Sequence, residues 1–226
     1  MRVSICVPVW DMGDAAEAIR LLRRNLDSIR SQTFTDYEIV VSDDSAGDEI
    51  YKWLVAYTEH RNFSVKYVRN PGEKSMACNT NYAIDQSEGE IIKILFQDDY
   101  FYSPKSLADI IEHFTPTFNW IATSCVHTFD GVEVFNLHNP FYSHSENTIG
   151  SPSVVAFRRE VRERFDPQFH WVLDLDLYRR LLRYYGRPKL LDHVTVVIGL
   201  HQNQMTNKLS DYVKQLEFIR LEEKHE

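Results

Sequence analysis

The sequence is poor in cysteine, in glycine-rich loops, in basic clusters and in long apolar runs, and each shortage removes a class of function. Only three cysteines occur in 226 residues, Cys6, Cys78 and Cys125, odd in number, far apart and without a Cys-x-x-Cys pair. That spacing argues against a zinc ribbon or a disulfide framework and leaves buried, reduced thiols of a cytosolic protein. Neither G-x-x-x-x-G-K-[ST] nor G-x-G-x-x-G occurs, so the chain is neither a P-loop enzyme nor a standard dinucleotide-binding fold. No run of Lys and Arg is present and the formal net charge is -8, which argues against a general nucleic-acid binder. No stretch reaches about 18 apolar residues, the length that spans a bilayer. The N-terminal MRVSICVPVW has no signal-peptide h-region. A soluble chain is therefore expected.

What is present is ordinary in bulk, with 43% hydrophobic and 26% charged residues, a globular composition. The length suits a single domain over 1–226. Within it, 1–115 alternates strand and helix, 116–206 is less regular, and 207–226 is a C-terminal helix. Strands are expected at Val3–Val9, Tyr37–Ser42, Ser64–Val68 and Glu90–Phe96, and helices at Ala15–Ser31, Glu49–Glu59 and Ser75–Gln86. Ser103-Pro104 reads as the N-cap and first position of a further helix. This order predicts an α/β fold with a mostly parallel central sheet and helices on both faces. The second half reads as strands at Trp120–Thr128, Val132–Asn136, Val154–Phe157 and Thr195–Gly199, with an Asn-, His- and Ser-rich loop at Asn139–Gly150. Helices are expected at Glu160–Phe165, Leu173–Tyr185 and Asp211–Glu223. Arg158, Arg159, Arg162 and Arg164 read as a solvated helix face.

Two strands end directly in acids, Asp43-Asp44 and Asp98-Asp99. Ligands of an open parallel sheet bind outside the carboxyl ends of its strands. Acids are common in turns, but two pairs on one edge repel unless something compensates. With no glycine-rich phosphate loop, a phosphorylated ligand would need a cation, and Mg²⁺ or Mn²⁺ takes carboxylate and phosphate oxygens. Asp98-Asp99 fits that need.

An ordered set of segments then resembles a known family. SICVPVWDM, SQTFTDYEIVVSDDSAGD, Ala77-Cys78-Asn79, GEIIKILFQDDYFYSP, VVAFRREVRERF, LDLDLYRRL and LHQNQMT together are similar to the family-2 glycosyltransferases of the Rossmann-like GT-A fold, from Val3 to about Thr206. The resemblance implies an inverting enzyme that moves a sugar from a nucleotide-diphosphate donor, UDP-linked, to a polysaccharide or lipid-linked saccharide. It places Pro8, Val9 and Trp10 at the nucleoside pocket, Asp44 on the base, and Lys74 and Asn79 on the nucleotide. Asp98 would face the ribose, Asp99 would hold the metal, and His201 would contact the metal or diphosphate. Asp174 would be the general base, and Gly150 and Trp171 would approach the donor or acceptor sugar. Departures are Cys78 where the family has Arg, Leu173 where it has Glu, and Gln97, which has no role assigned.

Some alternatives stay open at this level. Asp174 and Asp176 point about 200° apart on a helix, so one alone faces a cleft, and periodicity does not choose between them. The family pattern favours Asp174. His170, Trp171 and Phe169 could stack on a sugar or simply fill core. A nucleotidyltransferase is a rival enzyme class, although its glycine-rich N-terminal loop is missing; a non-catalytic nucleotide-sugar-binding module is another rival. The C-terminal helix could pair two copies as a homodimer or lie on a membrane. Its mixed charge argues against a basic membrane-binding face. The location implied is cytoplasmic, with peripheral attachment at the inner face of the membrane as a variant.

Overall fold

The computed structural model describes residues 1–143 and 146–226. Four parallel strands form its first half: β1 (Val3–Val9), β2 (Tyr37–Asp43), the half-exposed edge strand β3 (Lys66–Arg69) and β4 (Ile91–Ile94). Three helices connect them: α1 (Ala15–Arg30), α2 (Glu49–Arg61) and α3 (Met76–Asp85). β1 is buried at every residue, as expected of a strand covered on both faces. α1 starts where Asp14 accepts from the backbone amides of Ala16 and Glu17, and α3 where the Ser75 hydroxyl accepts from Cys78.

The second half adds β5 (Tyr100–Phe101), α4 (Ser106–Ile111), β6 (Trp120–Thr128), β7 (Phe135–His138), β8 (Val155–Arg158), α5 (Leu173–Tyr185), β9 (Lys189–Gly199), α6 (Met205–Lys208) and α7 (Asp211–His225). A short 3-10 turn, Pro152–Val154, precedes β8. One nine-stranded sheet runs in the order β3-β2-β1-β4-β8-β6-β9-β5, with β7 on β6. β8 is antiparallel to both β4 and β6, and β9 is parallel to β6. The ends of β1, β2, β4, β6 and β9 therefore share one edge. The expected α/β fold holds, with unbroken parallel pairing over β3-β2-β1-β4 and a mixed arrangement beyond it, where β6 and β9 are again parallel.

Several local expectations change. No helix forms at 160–165: the backbone of Phe165 is held by Asn81, which accepts from its N–H at 2.8 Å and donates to its carbonyl at 2.8 Å. Pro167 further disfavours a helical Asp166. The arginines are accordingly not a helix face. Arg158 donates to the carbonyls of Phe118 and Thr115, and Arg159 to the Ser87 hydroxyl. The helix expected from Ser103 starts at Ser106: the Ser103 carbonyl closes a turn with the Ser106 amide, and it and the Pro104 carbonyl also accept from Gln32 and Thr33, just past α1. The strand expected at Val132–Asn136 lies at Phe135–His138. β9 begins six residues earlier than its apolar run suggests, and β5 and α6 had no sequence signal. The loop expected over Asn139–Gly150 falls partly outside the described residues. Among the described residues, no helix is long and apolar enough to cross a membrane.

Candidate active site

The shared edge opens into a cleft of about 500 Å³. At one end, β1 runs out into Trp10 and β2 into Asp44. The Asp44 amide donates to the Val9 carbonyl at 3.0 Å. Its carboxylate accepts from Asn70 at 2.7 Å and pairs with Lys74 at 3.6 Å. Burial raises the pKa of Asp44, and Asn70 and Lys74 oppose the rise. Asp43 faces inward, accepting from Tyr67 and from the Ser45 amide. Asn79 is a brace between strands: it donates to the Val9 carbonyl at 2.9 Å and accepts from Ser42 at 2.6 Å. Gln97, without a role in the sequence reading, clasps Trp10, accepting from its amide at 2.6 Å and donating to its carbonyl at 3.0 Å. The indole is left 40% exposed on the cleft wall, with the Lys208 ammonium 4.7 Å from its centre.

The β4 end lies mid-cleft, and the two neighbouring acids diverge there. Asp99 is only 2% exposed, and its carboxylate accepts from the Gly199 amide at 2.9 Å. Burial, and then the charge of Asp98, pushes its pKa well above the usual carboxylate range. Asp98 turns outward, its Oδ2 3.0 Å from His201 Nε2, each side chain 17% exposed. This meeting follows from topology: β4 and β9 run the same way, so His201, just past β9, reaches the loop just past β4. Gly199 permits the approach, since a Cβ there would lie 2.2 Å from the Asp98 carbonyl oxygen. Two residues of α1 hold the loop from behind. Asn25 donates to the carbonyls of Phe96 and Asp99, and Arg24 to that of Asp98. Asn25 interrupts the apolar stripe Leu21, Leu22, Leu26, Ile29, a buried polar residue that the sequence pattern could have flagged.

The donor set suits a hard divalent cation. Asp98 Oδ2 and His201 Nε2 share a hydrogen bond of 3.0 Å, a separation that right-angled ligands also have in an octahedron of about 2.1 Å metal–ligand bonds, so an ion could replace the shared proton. His201 Nδ1 is buried without a partner. Among the described residues, no group of three His, Cys, Asp or Glu side chains converges on one point. The remaining ligands of such an ion would be phosphate oxygens and water. It is Asp98, with His201, that presents itself to the cleft, while Asp99 is engaged with Gly199.

At the far end stand Trp171, His170 and Asp174. Asp174 is the second residue of α5 and half-buried at the cleft. Its Oδ1 accepts from the Leu175 amide at 2.8 Å and its Oδ2 from Asn147 at 2.6 Å. Burial pushes its pKa up to about 7, against those hydrogen bonds. Asp176 has the opposite environment. It is fully buried away from the cleft and paired with Arg180, Lys224 and His225 at 2.6, 2.7 and 3.0 Å, and its pKa is lowered. The two acids thus separate as helix geometry requires, with Asp174 alone on the cleft. Gly150 (φ +111) lies outside the main cleft, in a neighbouring cavity of about 330 Å³. Its carbonyl accepts from Tyr178, and its amide donates to Asn147. The cleft therefore brings together Pro8, Val9, Trp10, Asp44, Lys74, Asn79, Asp98, Asp99, Trp171, Asp174 and His201.

Comparison with known proteins agrees with this architecture. The chain is 36% identical over 103 residues to the GalNAc(5)-diNAcBac-PP-undecaprenol beta-1,3-glucosyltransferase of Campylobacter jejuni, a match covering 45% of this chain and 31% of that protein. It is 20% identical over 216 residues to the putative colanic acid biosynthesis glycosyl transferase WcaA of Escherichia coli, covering 90% and 74%. Among solved structures, S. aureus TarS 1-349 in complex with UDP-GlcNAc superposes with a TM-score of 0.73 at 18% identity, covering 98% of this chain and 65% of that one. The mannosyltransferase PcManGT from Pyrobaculum calidifontis, in complex with GDP-Man and Mn2+, gives 0.68 at 18% identity, covering 96% and 64%. The chain spans under a third of the Campylobacter relative and just under two thirds of these solved chains. The model of Glycosyl transferase family 2 matches residues 4–183, from the first buried strand through the helix that carries Asp174, and the chain belongs to that family.

Proposed function

We propose that this cleft transfers a sugar from a nucleoside-diphosphate donor, UDP-linked, to a saccharide or lipid-linked saccharide, in one step and with inversion. The observation that carries the reading is the placing of three different chemistries along one cleft: Asp44 at the base end, Asp98 with His201 mid-way, and Asp174 at the far end. Asp44 is an acceptor held for a base N–H, and the Trp10 indole offers a stacking face. Asp98 and His201 would hold the divalent ion, Mg²⁺ or Mn²⁺, and the Mn2+ complex of the Pyrobaculum neighbour supports this. Bound there, the ion supplies Lewis-acid stabilisation of the departing diphosphate.

The other steps belong to the chain's own residues. Asp174 accepts the proton of the acceptor hydroxyl as its oxygen bonds to the anomeric carbon. The bond from that carbon to the diphosphate oxygen breaks on the opposite face, and the electron pair leaves with the nucleotide. A carboxylate whose pKa is raised to about 7 suits this work, because a base is most effective near the operating pH. Leu175 and Asn147 fix its two oxygens. The name of the Campylobacter relative supports a lipid-linked acceptor, which would bring the protein to the inner face of the membrane.

The test is a panel of nucleotide sugars assayed for consumption and for thermal stabilisation with Mn²⁺. Consumption of a UDP-sugar, with a stabilisation abolished by EDTA, is expected. Stabilisation without turnover on any acceptor would instead indicate a non-catalytic binding module.

A further inference from the structure

Within its first turn α5 satisfies the Leu175 amide with its own Asp174, but the chain leading into it is held from elsewhere. The N-cap residue of α5 is Val172, whose side chain makes no capping hydrogen bond, and the buried backbone amides that lead into the helix need an acceptor. The acceptor comes from α7, more than forty residues later. The Glu217 carboxylate is 3% exposed. It accepts from His170 N at 3.0 and 3.1 Å, from Trp171 N at 2.8 Å and from Val172 N at 3.2 Å. Three consecutive amides on one carboxylate make a charge-assisted cradle of the strong class, placed where the helix macrodipole also favours an anion.

The same helix grips the side chains of this segment. The Phe218 ring meets Trp171 edge-on at 5.5 Å, and the Lys214 ammonium lies 5.6 Å from the indole centre. At the helix end, Lys224 and His225 pair with Asp176. The segment so held ends two residues before Asp174, and its His170 and Trp171 line the cleft. The pattern in α7 reflects this. Glu217 stands between half-buried Val213 and buried Leu221 at i, i+4, i+8, a charged residue in the apolar stripe that faces inward.

From this geometry we infer that Glu217 is the positioning residue of the reacting end of the cleft. It holds the three amides that lead into α5 and thereby fixes where His170, Trp171 and Asp174 stand relative to the bound donor. Positioning of this kind acts on turnover, since a displacement of about 1 Å can cost about 10²-fold in rate. The hydrogen bonds of Glu217 go to this segment, whereas the nucleotide end is built on β1, β2 and β4. The consequence for turnover rests on the proposed transfer reaction; the consequence for the backbone does not.

The test therefore has two readouts. In the wild type, hydrogen exchange of the His170, Trp171 and Val172 amides should be as slow as in the interior of α5. Exchange at the rate of free loop amides would overturn the assignment without any variant. In Glu217→Gln, which keeps the shape and loses the charge, exchange at these amides should rise at least tenfold. The turnover number with whichever nucleotide sugar the wild type consumes should fall about 10- to 100-fold. The affinity for UDP with Mn²⁺ should stay within twofold. A lower melting temperature with unchanged turnover per folded molecule would reduce Glu217 to a structural brace and overturn the proposal, as would equal losses in turnover and UDP affinity. If the wild type consumes no nucleotide sugar, the transfer reading fails, and the exchange data still decide whether Glu217 holds these amides.

Discussion

The two ends of the cleft are built by different means. At the nucleotide end, parallel strands deliver Trp10, Asp44 and Asp98 to one edge, where side chains brace what the sheet has placed: Gln97 clasps Trp10, Asn70 and Lys74 hold Asp44, and Asn25 and Arg24 hold the loop of Asp98. At the reacting end, Asp174 depends on single polar side chains from distant chain, Asn147 in a loop and Glu217 on α7. The nucleotide end follows from sheet topology, so many sequences can supply it. The reacting end hangs on a few long-range hydrogen bonds, so single substitutions there should separate chemistry from binding.

The largest separation is expected on α5 itself. Asp174→Asn should lower turnover by about 10² to 10⁴-fold and leave UDP affinity intact. Asp176→Asn should do the reverse. It breaks the pairs with Arg180, Lys224 and His225 and should cost about 2 kcal/mol of stability, below the range for fully buried pairs because Lys224 and Arg180 reach solvent, with turnover per folded molecule kept. Denaturant melts and initial rates on both variants check this; an inactive Asp176→Asn with an active Asp174→Asn would reverse the roles of the two acids. Next in size, Asp98→Asn should abolish the gain in UDP affinity that Mn²⁺ gives the wild type, on the order of tenfold or more. Titration calorimetry with and without EDTA measures it. Asn147→Ala should slow turnover about tenfold, the order expected for one hydrogen bond to a charged group. Because that bond lowers the pKa of Asp174, its loss should also move the midpoint of the pH–rate profile upward. The smallest effect on chemistry is expected from Asn79→Ala. It leaves turnover within about twofold while removing the brace between Ser42 and Val9, at about 1–3 kcal/mol of stability for the buried polar groups left unpaired.

The same division explains what could be read in the sequence. β1 announces itself as an apolar run, β2 and β4 as apolar runs that lead into acids, and the acids lie where the pattern puts them. β9 is harder to see, because Asp192 and His193 interrupt its first half, which pairs with β6 regardless. Asp174 and Asp176 could not be ranked by periodicity, since what separates them is α7, packed against α5 from far along the chain. Asp98 and Asp99 diverge because Gly199 leaves room for the Asp98 carbonyl and offers its amide to Asp99. No local pattern encodes either fact. Asn25 and Glu217 did leave a trace, each a polar residue within an apolar stripe.

The central claim is that Asp174 takes the acceptor's proton, and the pH dependence of kcat/KM between pH 5 and 9 tests it most directly. Asp174 is protonated below its raised pKa, so log kcat/KM should climb with pH at low values and level off with a midpoint of about 7. The slope should disappear from the residual rate of Asp174→Asn. A wild-type profile that is flat over this range, or a variant that retains the same midpoint, would contradict the account.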